Sequence, residues 1–381
     1  MKKFALYTAG AVLMLAAAAC DRDLDLAHAY DNSSSSKPYE FDKDFNFDDY
    51  IDFGSFVVSD RVVCEQQPDI PRYSFWLDGK ISVGKYDDSG RFTLYWSADN
   101  SLRQTSDSPW LEENVNALSA EMEVFGKDLE PVDGFYDGGA WFIGVHKLPD
   151  GRLAGFFHAE SHWAGSNSAY KSIGVTYSRD NGLTWEKGSR ILAGTDPKPE
   201  NPAGQGVSYG LGDGCVVWNE ALGAWICYYS GYCNDPGNYM ITMARSTDPA
   251  GAAGTWKKWD GEDFTIEGCK RQSQLGGENF KIANLDAYAG GNPSVMWNHY
   301  LNKWVMVFHS WSQRICLSTS SDGIVWEAPK SLDLGEEKAM YPNLISEEGD
   351  LTGGQAVRLY YAADMNDLGQ RSLAWRKVVF Y

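Results

Sequence analysis

Ala140–Trp163 reads AWFIGVHKLPDGRLAGFFHAESHW, and this stretch decides the fold. Apolar and polar residues alternate on either side of Leu148-Pro-Asp-Gly151, a turn sequence, so the stretch is a β-hairpin whose second arm ends in aromatic and titratable residues. The phrase returns. GCVVWNEALGAWICYYSGY at 214–232 and NPSVMWNHYLNKWVMVFHSW at 292–311 superimpose on it turn on turn, and YPNLISEEGDLTGGQAVRLYYAAD at 341–364 is a further copy. Third strands close on Ser-x-Asp with a Trp beyond, at Ser97/Asp99 (Trp110), Ser178/Asp180 (Trp185), Ser246/Asp248 (Trp256) and Ser320/Asp322 (Trp326). A sheet of about four strands cannot bury both of its faces alone, so copies recurring every 40 to 80 residues or roughly so must stack on one another. The expectation is an all-β chain folded as a β-propeller, with five blades and six as the alternative count. The run from Arg371 to Tyr381 would pair with N-terminal sequence to close the ring.

Ser178-Arg-Asp180-Asn-Gly182-Leu-Thr184-Trp185 matches the Asp-box pattern S-x-D-x-G-x-T-W in full, and Ser320-Ser-Asp322-Gly323-Ile-Val-Trp326 is a shortened relative. In such a hairpin turn the carboxylate accepts backbone N–H bonds, Gly supplies a positive φ, and Trp covers the turn. The pattern speaks for architecture and not for chemistry, because these turns sit on the outer part of a blade.

The chain has 381 residues and a formal charge of −19, and it carries 15 Trp, 21 Tyr and 17 Phe. A disordered acidic chain would lack the aromatics, and a nucleic-acid binder would need a basic face, so neither class fits and no nucleic-acid partner is expected. MKKFALYTAGAVLMLAAAAC at the N-terminus sets two lysines before an apolar run too short for an ordinary membrane span. A cysteine after small residues resembles a bacterial lipoprotein cleavage site, so residues 1–19 are expected to be a signal peptide and Cys20 the lipidated residue. Residues 20–50 would be an acidic tether, and its acidic start resembles the surface-export signal of Bacteroidetes lipoproteins. Residues 51–381 would form one propeller domain, a monomer held to the outer membrane or cell surface by its lipid alone. Six cysteines remain, and an exported location permits disulfides; Cys215 and Cys227 fall on adjacent strands and could face each other.

On these hairpins and turns the chain resembles exported glycoside hydrolases of the five-bladed propeller type, the group of arabinanases, β-xylosidases, arabinofuranosidases and invertase-like enzymes. GGNPSVMWNHYLNKWVMVFHSW and KSIGVTYSRDNGLTWEKG are also similar to phrases in microbial propeller proteins expected to act on polysaccharides. The resemblance implies a carbohydrate substrate, carboxylates around a central funnel, and no cofactor beyond a structural calcium that the channel could hold. Sialidases share the Asp box but need three clustered arginines, and here Arg152, Arg179 and Arg245 sit in turns or outer strands.

Residues at blade openings and at the ends of second strands converge on the funnel. The second blade opens with Asp133-Gly-Phe-Tyr-Asp137-Gly-Gly, and Asp137 stands among an aromatic pair and a double Gly. His158, Glu160 and His162 share one face of the following strand beside Trp163. Three readings are open for them: a sugar-binding acid/base site, a metal site, and a structural network. Asp213 would be equivalent to Asp137, Asn292 would replace the acid in the next blade, and Tyr341 opens the last. Glycoside cleavage needs one protonated carboxyl and one ionised carboxylate. The expected roles are Asp137 as base, Glu160 as general acid with a raised pKa, and Asp213 as the tuning acid, with no metal. Trp163, Trp311 and Tyr341 would stack on sugars, His158, His162, His309 and Asn292 would bind hydroxyls, and Glu278 would reach over the funnel from a loop. A glycan-binding lipoprotein and a polysaccharide lyase are the alternatives.

Overall fold

The computed structural model describes residues 46, 49–64, 77–98, 100–114, 122–128, 134–166, 168–204, 208–233, 239–285, 289–335, 338–364 and 370–381. The expected signal peptide (residues 1–19), Cys20, the expected tether up to residue 45, Asp99 and Asp133 lie outside the described residues. The chain divides into units Met1–Ser35 and Ser36–Tyr381, and everything below concerns the second.

That unit is all-β. β1 (Tyr50–Asp52), β2 (Phe56–Ser59) and β3 (Val62–Val63) come first. An antiparallel meander follows, of β4 (Ser82–Gly84), β5 (Phe92–Ala98), β6 (Asn100–Ser106) and β7 (Met122–Phe125). The next has β8 (Gly139–Lys147), β9 (Leu153–His162), β10 (Ala169–Ser178) and β11 (Ser189–Leu192). Another has β12 (Ser208–Asn219), β13 (Ala224–Tyr232), β14 (Tyr239–Ser246), β15 (Lys257–Trp259) and β16 (Phe264–Glu267), and a short parallel contact of β10 with β12 links the two. Then come β17 (Ala289–Asn298), β18 (Lys303–Ser310), β19 (Ile315–Ser320) and β20 (Lys330–Ser331). Last are β21 (Ala339–Ile345), β22 (Thr352–Gly353), β23 (Ala356–Ala363) and β24 (Ser372–Phe380), with β22 lying parallel on β17.

The first strands of successive meanders, β4, β8, β12, β17 and β21, touch in chain order. The end of the chain returns to its beginning: Val83 N–H donates to Asp350 Oδ1 (2.8 Å), Asp350 N–H to Val83 O (3.0 Å), and Ile81 N–H to Asn343 Oδ1 (2.9 Å). This closed succession of antiparallel sheets is a β-propeller. β24 pairs with β23 on one side and β2 on the other, so C-terminal sequence is zipped to N-terminal sequence, with Phe380 opposite Phe56. The core is divided to match. One apolar cluster joins Phe156 and Val175 of β9 and β10 to Val216 and Tyr229 of β12 and β13, and another joins Tyr228 and Met243 to Met306 and Phe308 of β18.

The tryptophans that follow the third strands pack on the preceding meander: Trp185 on Tyr95 (6.0 Å between ring centroids), Trp256 on Phe156 (5.8 Å) and Trp326 on Tyr228 (5.6 Å). The turns that place them share one design. Asp180 Oδ1 accepts from the N–H groups of Leu183 (3.2 Å) and Thr184 (2.9 Å), and Asp322 Oδ1 accepts from Ile324 and Val325 (both 2.8 Å). Gly182 has φ 80°, and a Cβ there would lie 1.9 Å from the Tyr95 hydroxyl, so only glycine fits.

The idea that Cys215 and Cys227 face each other is corrected by the register. Cys215 stands opposite Tyr228 and Cys227 opposite Val216, and a one-residue offset sends the two side chains to opposite faces of the sheet. They sit in different apolar clusters, and the six described cysteines are buried and form no disulfide.

Candidate functional site

Three of the inner strands carry the same irregularity. The β12 ladder with β13 shifts register at Gly212/Gly214, β17 with β18 at Gly291/Ser294, and β21 with β23 at Met340/Asn343. Inside each bulge one non-glycine residue has left-handed backbone: Asp213 (φ 50°), Asn292 (φ 52°) and Tyr341 (φ 53°). All three side chains line one cleft, together with Asp78, Trp141, His158, Glu160 and Lys171. Its open space, counted with the solvent at its mouth, is about 400 Å³.

Second strands brace these bulges. The Asp213 N–H donates to His158 Nδ1 (2.9 Å), and the Asn292 N–H donates to Ser230 Oγ (3.3 Å), which in turn donates to Asp213 O (3.3 Å). Because His158 Nδ1 accepts, its proton sits on Nε2, from which it donates to Glu160 Oε1 (3.0 Å). Gly212 admits the imidazole; a Cβ there would come within 2.1 Å of His158 Nδ1. His309 is the counterpart facing Gly291 across the next ladder, and its Nδ1 is buried without a hydrogen-bond partner. Burial pulls its pKa down to about 4, against the charge of Asp213, so His309 is neutral at pH 7.

Around Lys171 the charges are close. Its Nζ lies 3.1 Å from Asp213 Oδ2 and 3.5 Å from Glu160 Oε1, while His162 Nε2 donates to Glu160 Oε2 (2.7 Å). Burial works against ionisation of Glu160, but Lys171 and the hydrogen bonds from His158 and His162 outweigh it and hold the carboxyl well below the usual range. Asp213 follows the same pattern: burial opposes its charge, Lys171 favours it, and the balance is a lowered pKa. Burial likewise disfavours the Lys171 ammonium, and Asp213 and Glu160 more than restore it.

Asp78 behaves oppositely. Burial pushes its pKa up; Arg371, 3.3 Å away, opposes this, and the charges of Asp213 and Glu160 push it further up. Beneath it, Lys80 Nζ meets Asp350 Oδ2 at 2.5 Å in a buried ion pair that joins the first meander to the last.

The expectation that Glu160 is a protonated acid is therefore corrected, since three donors stabilise its anion. The equivalence of Asp137 and Asp213 is also corrected: Trp141 faces His158 across the β8–β9 ladder as Gly291, beside Asn292, faces His309, so Trp141 holds the inner position and Asp137 precedes the strand. Asp137 is not among the residues lining the cleft; its Oδ1 is buried without a hydrogen-bond partner, and its charge acts on Lys198. Lys198 Nζ donates to His162 O (2.6 Å) and stands over the Trp163 ring (4.6 Å). Trp163 is half-buried and donates to Pro199 O (3.0 Å). Glu278 is exposed and outside the cleft wall, whereas its neighbour Asn279 is buried and accepts from the Tyr229 hydroxyl (3.0 Å). Trp311 is 59% exposed at the end of β18. Among the described residues no group of three or more His, Cys, Asp or Glu is placed to hold a metal.

Sequence reasoning missed Asp78, Lys171 and Arg371. Asp78-Gly79 reads as a turn, and Lys171 reads as a solvated strand residue. The one signal for Lys171 was its register, which puts it opposite Glu160.

No family model matches the chain, and no curated protein does. Among solved structures it is similar to a family 117 glycoside hydrolase of the marine bacterium Zobellia galactanivorans, with 11% identity, 85% of this chain and 90% of that one covered, and a TM-score of 0.49. It is also similar to a thermostable family 43 glycoside hydrolase (13% identity, 80% and 92% covered, TM-score 0.44) and to the family 93 α-L-arabinofuranosidase of Fusarium graminearum in complex with arabinobiose (14%, 66% and 65%, 0.39). None of these likenesses assigns a role to a residue of the cleft.

Proposed function

We propose that the chain hydrolyses a glycosidic bond in this cleft. The observation that carries the reading is that three carboxyls line one cleft in unlike surroundings: burial and the neighbouring anions push the Asp78 pKa up, whereas Lys171 pulls those of Asp213 and Glu160 down. Glycoside cleavage needs that pairing, a proton donor for the leaving oxygen and an anion that activates water or stabilises the developing oxocarbenium ion. Asp78 is the donor, and Asp213, displayed by its bulge, is the anion. Glu160 keeps Lys171 in place and, after burial and the charge of Asp213, adds to the upward push on the Asp78 pKa. Trp141, Tyr341 and Asn292 hold the sugar. The meanders are read as five blades, residues 1–19 as a lipoprotein signal with Cys20 lipidated, and the enzyme as a monomeric protein of the outer membrane surface.

Incubation with arabinan, xylan, fructan, galactan and mannan tests the activity, with released sugar as the readout. No release from any of them overturns hydrolysis of these neutral polymers. A second reading, a surface protein that binds glycans without cleaving them, is favoured by Lys171, whose contacts with both Glu160 and Asp213 are what a structural network would show. Retention on a polymer without sugar release decides for it. The lyase reading loses support from His158, since both its ring nitrogens are engaged.

A further inference from the structure

We propose that a second sugar subsite adjoins the cleft, built from Tyr239 with Tyr232 and Trp311, and that the ligand is a neutral glycan of at least two linked residues. This rests on the glycan part of the reading above, though not on hydrolysis.

Tyr232 ends β13, Tyr239 begins β14, and Trp311 follows β18, so three strand ends bring the rings together. Tyr239 is the middle one, with ring centroids 5.2 Å from Tyr232 and 6.3 Å from Trp311, both edge-on. The outer two rings are unusually open for their type, Trp311 at 59% and Tyr232 at 49% exposure. Tyr232 is nevertheless propped, its hydroxyl donating to Ser208 O (3.4 Å). The exposed surface of these two rings is apolar, and the C–H face of a pyranose or furanose is the apolar surface that such rings accept.

The second observation is independent. The Tyr239 hydroxyl is buried and has no hydrogen-bond partner, an arrangement that native proteins rarely tolerate without a ligand or water. Tyr239 is outside the cleft wall, and the strand ends set its neighbours beside it: Tyr232 stands two residues beyond Ser230, whose Oγ donates to Asp213 O (3.3 Å), and Trp311 two residues beyond His309, which faces Gly291. The aromatic group thus lies just past the cleft along the same strands. Trp311 is outside the cleft wall, so a sugar ring on it is a different ring from the one beside Asp213. A linked pair satisfies both, with a hydroxyl or ring oxygen meeting Tyr239.

Charge selects the chemical class. Lys171 is paired with Asp213 and Glu160, and Lys80 with Asp350. These two cations are thus committed to carboxylates, and a uronate would enter a space where Asp213 and Glu160 are already anionic. A neutral sugar fits it.

Affinity electrophoresis of the full chain tests this, in gels containing arabinan, xylan, fructan, galactan, mannan or polygalacturonate. Wild type should be retarded by at least one neutral polymer and not by polygalacturonate. Tyr232→Ala with Trp311→Ala should weaken that retardation by about five-fold or more, the scale of an aromatic contact. Tyr239→Phe should weaken it at an unchanged melting temperature, and Asp213→Asn should keep it while losing turnover. The proposal is overturned if no neutral polymer retards wild type, if polygalacturonate retards it more, or if the double variant is retarded as wild type is. Retardation without sugar release removes hydrolysis and leaves the subsite; sugar release with undiminished retardation of the double variant removes the subsite alone.

Discussion

Lys171 sets the protonation of its neighbours, because a single ammonium within 3.5 Å of two carboxylates lowers both. Replacing it by Met removes the charge and keeps the chain. Asp213 then takes up a proton at higher pH, so the acidic limb of kcat/KM should move to higher pH, with a loss of about ten-fold or more at neutral pH. An unmoved profile would separate Lys171 from the chemistry. The same linkage predicts stability: Asp213 and Glu160 have folded pKa values below their unfolded ones, so their contribution is present above about pH 4 and disappears as pH falls through the folded values. Thermal melts should be flat from neutral pH to about pH 5 in this respect and fall below it. Little of this was legible in the sequence. Lys171, Asp78 and Arg371 are ordinary strand or turn residues by type, and only the folded distances give them their chemistry. Glu160 was found by its period-two spacing from His158 and His162, yet the same spacing supplies the hydrogen bonds that deny it the role of acid.

At the scale of the element, the bulges of β12, β17 and β21 are what turn strands into a site. They hold Asp213, Asn292 and Tyr341 in left-handed backbone that glycine would adopt without strain. Asn292→Gly should leave the melting temperature equal or slightly higher, by up to about 1 kcal/mol of stability, while lowering activity. A drop in stability would show that the side chain, not the backbone, holds the bulge. The hairpins themselves were legible because alternation and turn chemistry are local, and the Asp180 and Asp322 turns are built from neighbours in sequence. The bulges were not, since an inserted residue moves register without changing composition. On β8 the shift falls at Phe142/Gly144, and Trp141 rather than Asp137 lines the cleft.

Across the whole molecule, closure depends on contacts between residues far apart in the chain. β2 zips to β24, and the Lys80–Asp350 pair ties the first meander to the last inside the ring. Removing one partner leaves a buried charge, so Lys80→Met should cost about 3 to 5 kcal/mol, and Lys80→Met with Asp350→Leu should recover part of it. Equal melting of all three proteins would remove the pair from the closure. The apolar pattern announced the repeats but could not show which charges meet across the ring. The most direct test of hydrolysis in the cleft is sugar release by wild type, Asp78→Asn and Asp213→Asn at matched melting temperature, on whichever polymer wild type cleaves. Both variants should lose at least about a hundred-fold in turnover, the scale of one acid or base group. Wild-type turnover in either variant would contradict the assignment of the chemistry to these two carboxyls.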